Sequence, residues 1–157
     1  MLTINLDSLP VLAVLQRVQD AGLDLTPVLK NIGEILINST KERFRTGMGP
    51  TGEKWADKRN PELAHDPRPL IGESKSLSTQ INWQREGNDL VIGSTMEYGG
   101  THQAGARKGQ YGQTRQGVAL PFGNIPARPF IGLSDDDEIL LIESITRHIE
   151  RAADPGL

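Results

Sequence analysis

The sequence predicts an α+β domain: two N-terminal helices, a small antiparallel sheet built on a hairpin, long loops and a C-terminal helix. Three observations carry this. Apolar residues recur at helical spacing near both ends, and two strand-like segments flank a Gly-Asn turn in the middle. The 17 glycines and 10 prolines set aside a good part of the 157 residues for loops. The order helix, helix, loop, hairpin, loop, helix argues against a wound parallel sheet. The length suits one domain and no repeat divides it, so 1–157 reads as a single unit.

The first helix is expected from Asp7 to Ala21. Ser8 caps it, Pro10 fits its first turn, and Gly22 ends it. Leu12, Leu15 and Val18 line its apolar face, widened by Val11 and Val14. Thr26-Pro27 starts the second helix, which runs to Arg45 and stops at Gly47. Its inner face is Leu29, Ile32, Leu36 and Phe44, with Ile35 beside them. Gly33 weakens the middle and so marks a close helix contact. Lys41, Arg43 and Arg45 offset the macrodipole.

Thr46 to Pro69 has neither helical nor alternating periodicity and reads as a loop anchored by Trp55. A short helix is expected within 70–78, with Leu70, Ile71 and Leu77 inward. Segments 81–85 and 89–94 form the hairpin around Gly87-Asn88. Tyr98 to Gly105 is a compact polar stretch. Residues 106–124 have Gly109, Gly112, Gly117 and Gly123, little apolar content and no acids, which predicts a mobile loop. Pro126 and Pro129 exclude a central strand from IPARPFIG. It reads as an edge strand or extended strap that plugs Phe130 and Ile131 into the core. Ser134 caps the last helix, and Asp135, Asp136, Asp137 and Glu138 load its first turn with negative charge. Ile142, Ile145 and Ile149 form its buried stripe, with Leu141 flanking; the chain frays from Ala153.

Little here points to catalysis. There is no cysteine, which excludes disulfides, thiolate metal sites and a cysteine nucleophile. His65, His102 and His148 lack ligand spacing. His65-Asp66 reads as a solvated pair, and His102 as a structural histidine bonded to a backbone carbonyl. The acids at 135–138 have a structural reason at a helix start and lack the pattern of a calcium loop. GMGPTG has no following GK[ST], and no GxSxG elbow exists. No catalytic residue, metal, cofactor or small-molecule substrate is expected. No apolar run approaches a membrane span, and MLTINLDSLPVL lacks the build of a signal peptide, so a soluble, cytoplasmic domain without membrane partners is expected.

Charge is uneven although the net value is only −3. Residues 106–128 hold four basic groups and no acid, while 134–157 hold seven acids against two bases. One reading is a small nucleic-acid-binding module using Arg107, Lys108, Arg115 and Arg128. The preferred reading is a loop that orders against another protein subunit.

Four stretches stand in order between Lys41 and Asp137: KERFRTGMGPTGEKW, LIGESKSLSTQI ahead of DLVIGS, Tyr98 with His102-Gln103 and Gly105, and IPARPFIGLSDDD. In this order and spacing they resemble the phage virion morphogenesis family, the tail completion proteins of Mu-like tailed phages. The resemblance covers 1–150. The chain departs from the family pattern at Ala104, where relatives tend to have an aromatic, and at Ser74-Lys75-Ser76. The resemblance implies a structural protein of tail completion or head–tail joining at the neck. It would reside in the virion, and in the host cytoplasm during assembly. Neck components are commonly homo-oligomeric rings, often hexamers, so the implied partners are further copies and other neck, tail or connector proteins. Phe44, Trp55, Tyr98, His102, Gln103, Gly105, Pro126, Arg128, Pro129 and Phe130 are then structural motif positions. In such a ring, Arg107, Lys108 and Arg115 are expected to meet Asp135, Asp136, Asp137 and Glu138 of the next subunit.

Overall fold

A computed structural model describes residues 8–156. Ser8 accepts the Val11 amide through Oγ and opens α1, Leu9–Asp20, with Pro10 in the first turn. Asp7, the expected first residue, lies outside the described residues. The buried stripe is Val11, Val14 and Val18. Leu12 is 47% exposed, so the expected face is rotated by one position. Helix α1 packs against the C-terminal helix, and the valine stripe is its buried face.

Helix α2, Thr26–Thr46, begins where the Thr26 amide donates to Asp24 Oδ1 and Pro27 follows. It ends at Gly47, whose φ of 72° suits glycine. Leu29, Ile32, Leu36, Thr40, Arg43 and Phe44 are all buried, a single inward stripe. Gly33 does mark a close approach, but to a strand rather than a helix. A Cβ there would lie 2.5 Å from the Trp83 ring.

The hairpin is β1, Ile81–Glu86, paired antiparallel with β2, Asp89–Ser94. Register runs from Ile81 opposite Ser94 to Glu86 opposite Asp89, leaving Gly87-Asn88 as the two-residue turn. Its inner face packs on α2, with Ile81 and Ile92 buried. The short helix α3 occupies only Ser76–Thr79, yet Leu70, Ile71 and Leu77 are all buried as expected. The compact polar stretch turns out to hold a helix, α4, Gly99–Ala104. Two leading glycines hide it from propensity. Tertiary contact supports it: Gly99 sits against Ser94 and Leu77.

Helix α5, Asp135–Ala153, carries a capping box in which Ser134 and Asp137 exchange side-chain and backbone hydrogen bonds. Leu141 and Ile145 are its fully buried residues, while Ile142 and Ile149 are only partly buried. The stripe is therefore centred one position from the expected one. Helices α1 and α2 both pack on α5. Phe44, Trp55 and Phe130 fill the space between α2 and the loops, with ring centroids 5.8 Å (Phe44–Trp55) and 5.2 Å (Phe44–Phe130) apart.

Candidate functional site

The strap IPARPFIG is extended and held from all sides. Gln103 Oε1 accepts the amides of Phe130 and Ile131, both at 3.0 Å, and its Nε2 donates to the Ile131 carbonyl at 2.9 Å. Trp55 Nε1 donates to the Pro129 carbonyl at 2.9 Å. Arg43 Nη1 donates to the carbonyls of Phe130 and Gly132, at 3.0 and 3.1 Å. Its Nη2 pairs with Asp137. Burial pulls the Arg43 guanidinium below its ordinary range, and the Asp137 charge opposes that. Arg128 turns away from solvent; its Nε and Nη2 donate to the carbonyls of Ala56 and Asp57 at 2.8 and 2.9 Å. Gly105 completes the clamp, since a Cβ there would meet Ala127 N and Ile125 O at 2.8 Å each. Prolines at 126 and 129 keep the strap out of a central ladder. Ile125 bridges to Ala106 and the Arg128 amide donates to the His102 carbonyl, while side chains from other elements satisfy backbone groups from Pro129 to Gly132.

Beside the strap lies an open cavity of about 730 Å³, lined in part by Lys58, Arg59, Tyr98, His102, Pro126 and Arg128. Tyr98 meets the His102 ring edge-on at 6.0 Å. His102 departs from expectation: its backbone carbonyl accepts the Arg128 amide, but its buried Nδ1 has no hydrogen-bond partner among the described residues. Burial lowers its pKa, and the Arg128 charge adds to that. Lys58 Nζ is held by the carbonyls of Asp66 and Ile71, at 2.5 and 2.6 Å. Asp66 pairs with Arg68, not with His65.

The loop 106–124 carries its own hydrogen-bond pattern. Ala106 and Ile125 bridge at its base, and Gln113 and Ala119 bridge near its tip. Between them, Gly109 donates to Pro121 O at 2.9 Å and Tyr111 to Leu120 O at 2.7 Å. The Tyr111 and Thr101 hydroxyls, 2.8 Å apart, tie it to α4. Arg107, Lys108 and Arg115 are exposed. Of the expected acidic partners, Asp135 and Asp136 are exposed, whereas Glu138 accepts from Ser8 Oγ at 2.8 Å. Asp137 is buried against Arg43 and is withdrawn from the surface. Arg128 is likewise internal, which removes one of the four cations from the nucleic-acid reading.

The model of the phage virion morphogenesis family matches residues 6–150. The chain belongs to this family. It is 25% identical over 140 residues to Mu-like prophage FluMu G protein 2 of Haemophilus influenzae, covering 89% of each chain. It is 30% identical over 129 residues to FluMu G protein 1 of the same organism, covering 78% of this chain and 75% of that one. No solved structure matches. Membership of the virion morphogenesis family makes this a protein of phage virion assembly. No helix among the described residues is long and apolar enough to cross a membrane.

In this virion morphogenesis protein the motif positions converge. Phe44, Trp55, Gln103, Gly105, Arg128, Pro129 and Phe130 meet at the strap, while Tyr98, His102 and Pro126 line the adjoining cavity. The Arg43–Asp137 pair escaped the sequence reading. One signal for it was present: Arg43 continues the Leu36, Thr40 spacing of the inner face of α2.

Proposed function

We propose that this chain acts in tail completion or head–tail joining at the phage neck, as a homo-oligomeric ring and without catalysis. The observation that carries the reading is the family match over 6–150. Two features of the surface support it. The exposed cations of the 106–124 loop and the exposed acids at the start of α5 lie on different elements of one chain. A contact from one kind of surface to the other is head-to-tail, the class of contact that builds a ring when the rotation per subunit closes. Seven of the motif residues, Phe44, Trp55, Gln103, Gly105, Arg128, Pro129 and Phe130, meet at the strap, a structural task.

The test is deletion of the gene from a producing phage, with electron microscopy of the lysate. Filled heads and unjoined or malformed tails are the expected products, restored to joined virions by plasmid-borne protein. Normal joined virions from the deletion overturn the reading. Light scattering of the purified protein then reads subunit number.

A further inference from the structure

A second surface, distinct from the strap cavity, completes the head-to-tail picture. A groove of about 590 Å³ runs between the C-terminal half of α2 and the start of α5. Ile35, Met48, Pro50 and Leu140 line it with apolar groups. Met48 is 42% and Leu140 50% exposed, so the groove presents large apolar side chains to solvent. Asp136 lines the groove too, and Asp135 precedes it on the same exposed turn. Glu42 lies on the opposite wall, already paired with Arg45, and the groove-lining Arg43 is neutralised by Asp137. The uncommitted charge at the α5 end is therefore negative. The size falls in the roughly 300–1,000 Å³ range of clefts that seat a drug-sized group, so an aromatic ring fits.

The same chain carries the complement. Tyr111, Val118, Leu120 and Phe122 of the loop are exposed large apolar residues, Phe122 by 72%. They sit among Arg107, Lys108 and Arg115, in a segment with no acid. No loop residue is among those that line the groove, so within one subunit the two surfaces do not meet.

We propose that Phe122 and its apolar neighbours seat in the α2–α5 groove of a second copy of this chain, with the loop cations facing that copy's Asp135 and Asp136. This rests on the ring reading above and names its contact. Apolar seating supplies the holding energy, while the rim charges steer approach and set register. An open chain of copies leaves one loop free at one end and one groove free at the other until the ring closes.

Because the chain has no cysteine, the contact can be read directly. Gly123→Cys and Asn38→Cys leave Phe122 and the apolar groove lining in place. They are mixed as single variants, one carrying a mass tag that separates heterodimer from homodimers, oxidised, and resolved on non-reducing gels. This is done with concentrated purified protein and with particles from lysates complemented by both. A lysine-reactive cross-linker is run in parallel. The expected result is a 38–123 heterodimer at least several-fold above either homodimer, and a ladder from the double variant. Lysine cross-links between copies in particles without the 38–123 disulfide overturn the seating and leave the ring standing. A Gly123→Cys thiol bridged to a different virion protein overturns the second-copy assignment. No self-contact in particles by either reagent overturns the ring and the seating together. Phe122→Asp provides a second measure: unchanged monomer melting with lost assembly supports the contact, and unchanged assembly refutes it.

Discussion

In the strap, the backbone groups of Pro129, Phe130, Ile131 and Gly132 are engaged by the side chains of Trp55, Gln103 and Arg43. In the neighbouring loop, the amides of Gly109, Tyr111, Thr114 and Leu120 find carbonyls of the loop itself. The two segments are adjacent in the chain and both are rich in backbone without regular structure. Yet one is welded to three other elements, and the other stands on its own ladder. The difference separates two uses of irregular chain. The strap cannot change without disturbing the core that its partners belong to. The loop meets its backbone needs internally, with the Tyr111–Thr101 hydroxyl contact as its tie to α4, which leaves its exposed apolar and basic groups available for contact with another molecule.

Breaking the core beneath the strap has the largest expected effect. Ile145→Asp places an unpaired carboxylate at a 1% exposed site on α5. That costs several kcal/mol, against a typical total of about 5–15 kcal/mol, so unfolded or insoluble protein is expected in circular dichroism and expression trials. A soluble variant with a cooperative melt would show that this face is not core.

Next come the strap's own anchors. Phe130→Ala should lose roughly 3–5 kcal/mol in urea melts, because the ring is fully buried against Phe44. Arg43→Met should lose about as much, roughly 3–5 kcal/mol, by leaving the Asp137 carboxylate buried without its partner. Adding Asp137→Leu to Arg43→Met should recover part of that loss in the same assay. A loss below ~1 kcal/mol for either single variant would place the strap outside the cooperative core.

A smaller effect comes from the cavity beside the strap. The His102 imidazole is held below its ordinary 6.5, first by burial and then by Arg128. As pH falls below that value the unfolded chain takes up a proton that the folded chain does not. The histidine's contribution is thus full above about 6.5 and drains as pH falls toward the lowered folded value. His102→Phe removes that titration. Relative to the parent, it should gain stability between about pH 7.5 and about pH 5.5. An identical pH dependence in both proteins would mean that His102 is solvated.

The loop should have the smallest effect on stability. Replacing 108–123 by two glycines removes Phe122 with its apolar neighbours and keeps the Ala106–Ile125 bridge at the base. Monomer melting should shift by no more than about 0.5 kcal/mol, while assembly and plaque formation are lost. Amide hydrogen exchange on the parent sharpens the comparison: the loop amides should exchange far faster than those of Phe130 and Ile131. Slow exchange throughout the loop, or a large loss of stability on excision, would erase the distinction between the two segments.

Helix caps, turn residues and periodicity were enough to locate most of the regular elements from the sequence. Ser8, Thr26-Pro27, Gly47, Gly87-Asn88 and Ser134 are local signals, because capping and turn geometry depend on residues within a few positions. Phe130 and Ile131 were legible as plugs for the same reason: two prolines fix an extended approach to a capped helix. Tertiary structure alone decided which face of α1 is inward and which residue centres the stripe of α5, since several apolar positions competed and only packing between helices chose among them. It also formed α4 on a Gly-Gly start, where local propensity opposes a helix. And it drew Arg43, Arg128 and Asp137 inside. A charged side chain goes where its charge and hydrogen-bonding capacity are met. The α2 spacing hinted that Arg43 points inward, but the partners lie 94 residues away for Arg43–Asp137 and about 70 for Arg128, so no local pattern could name them.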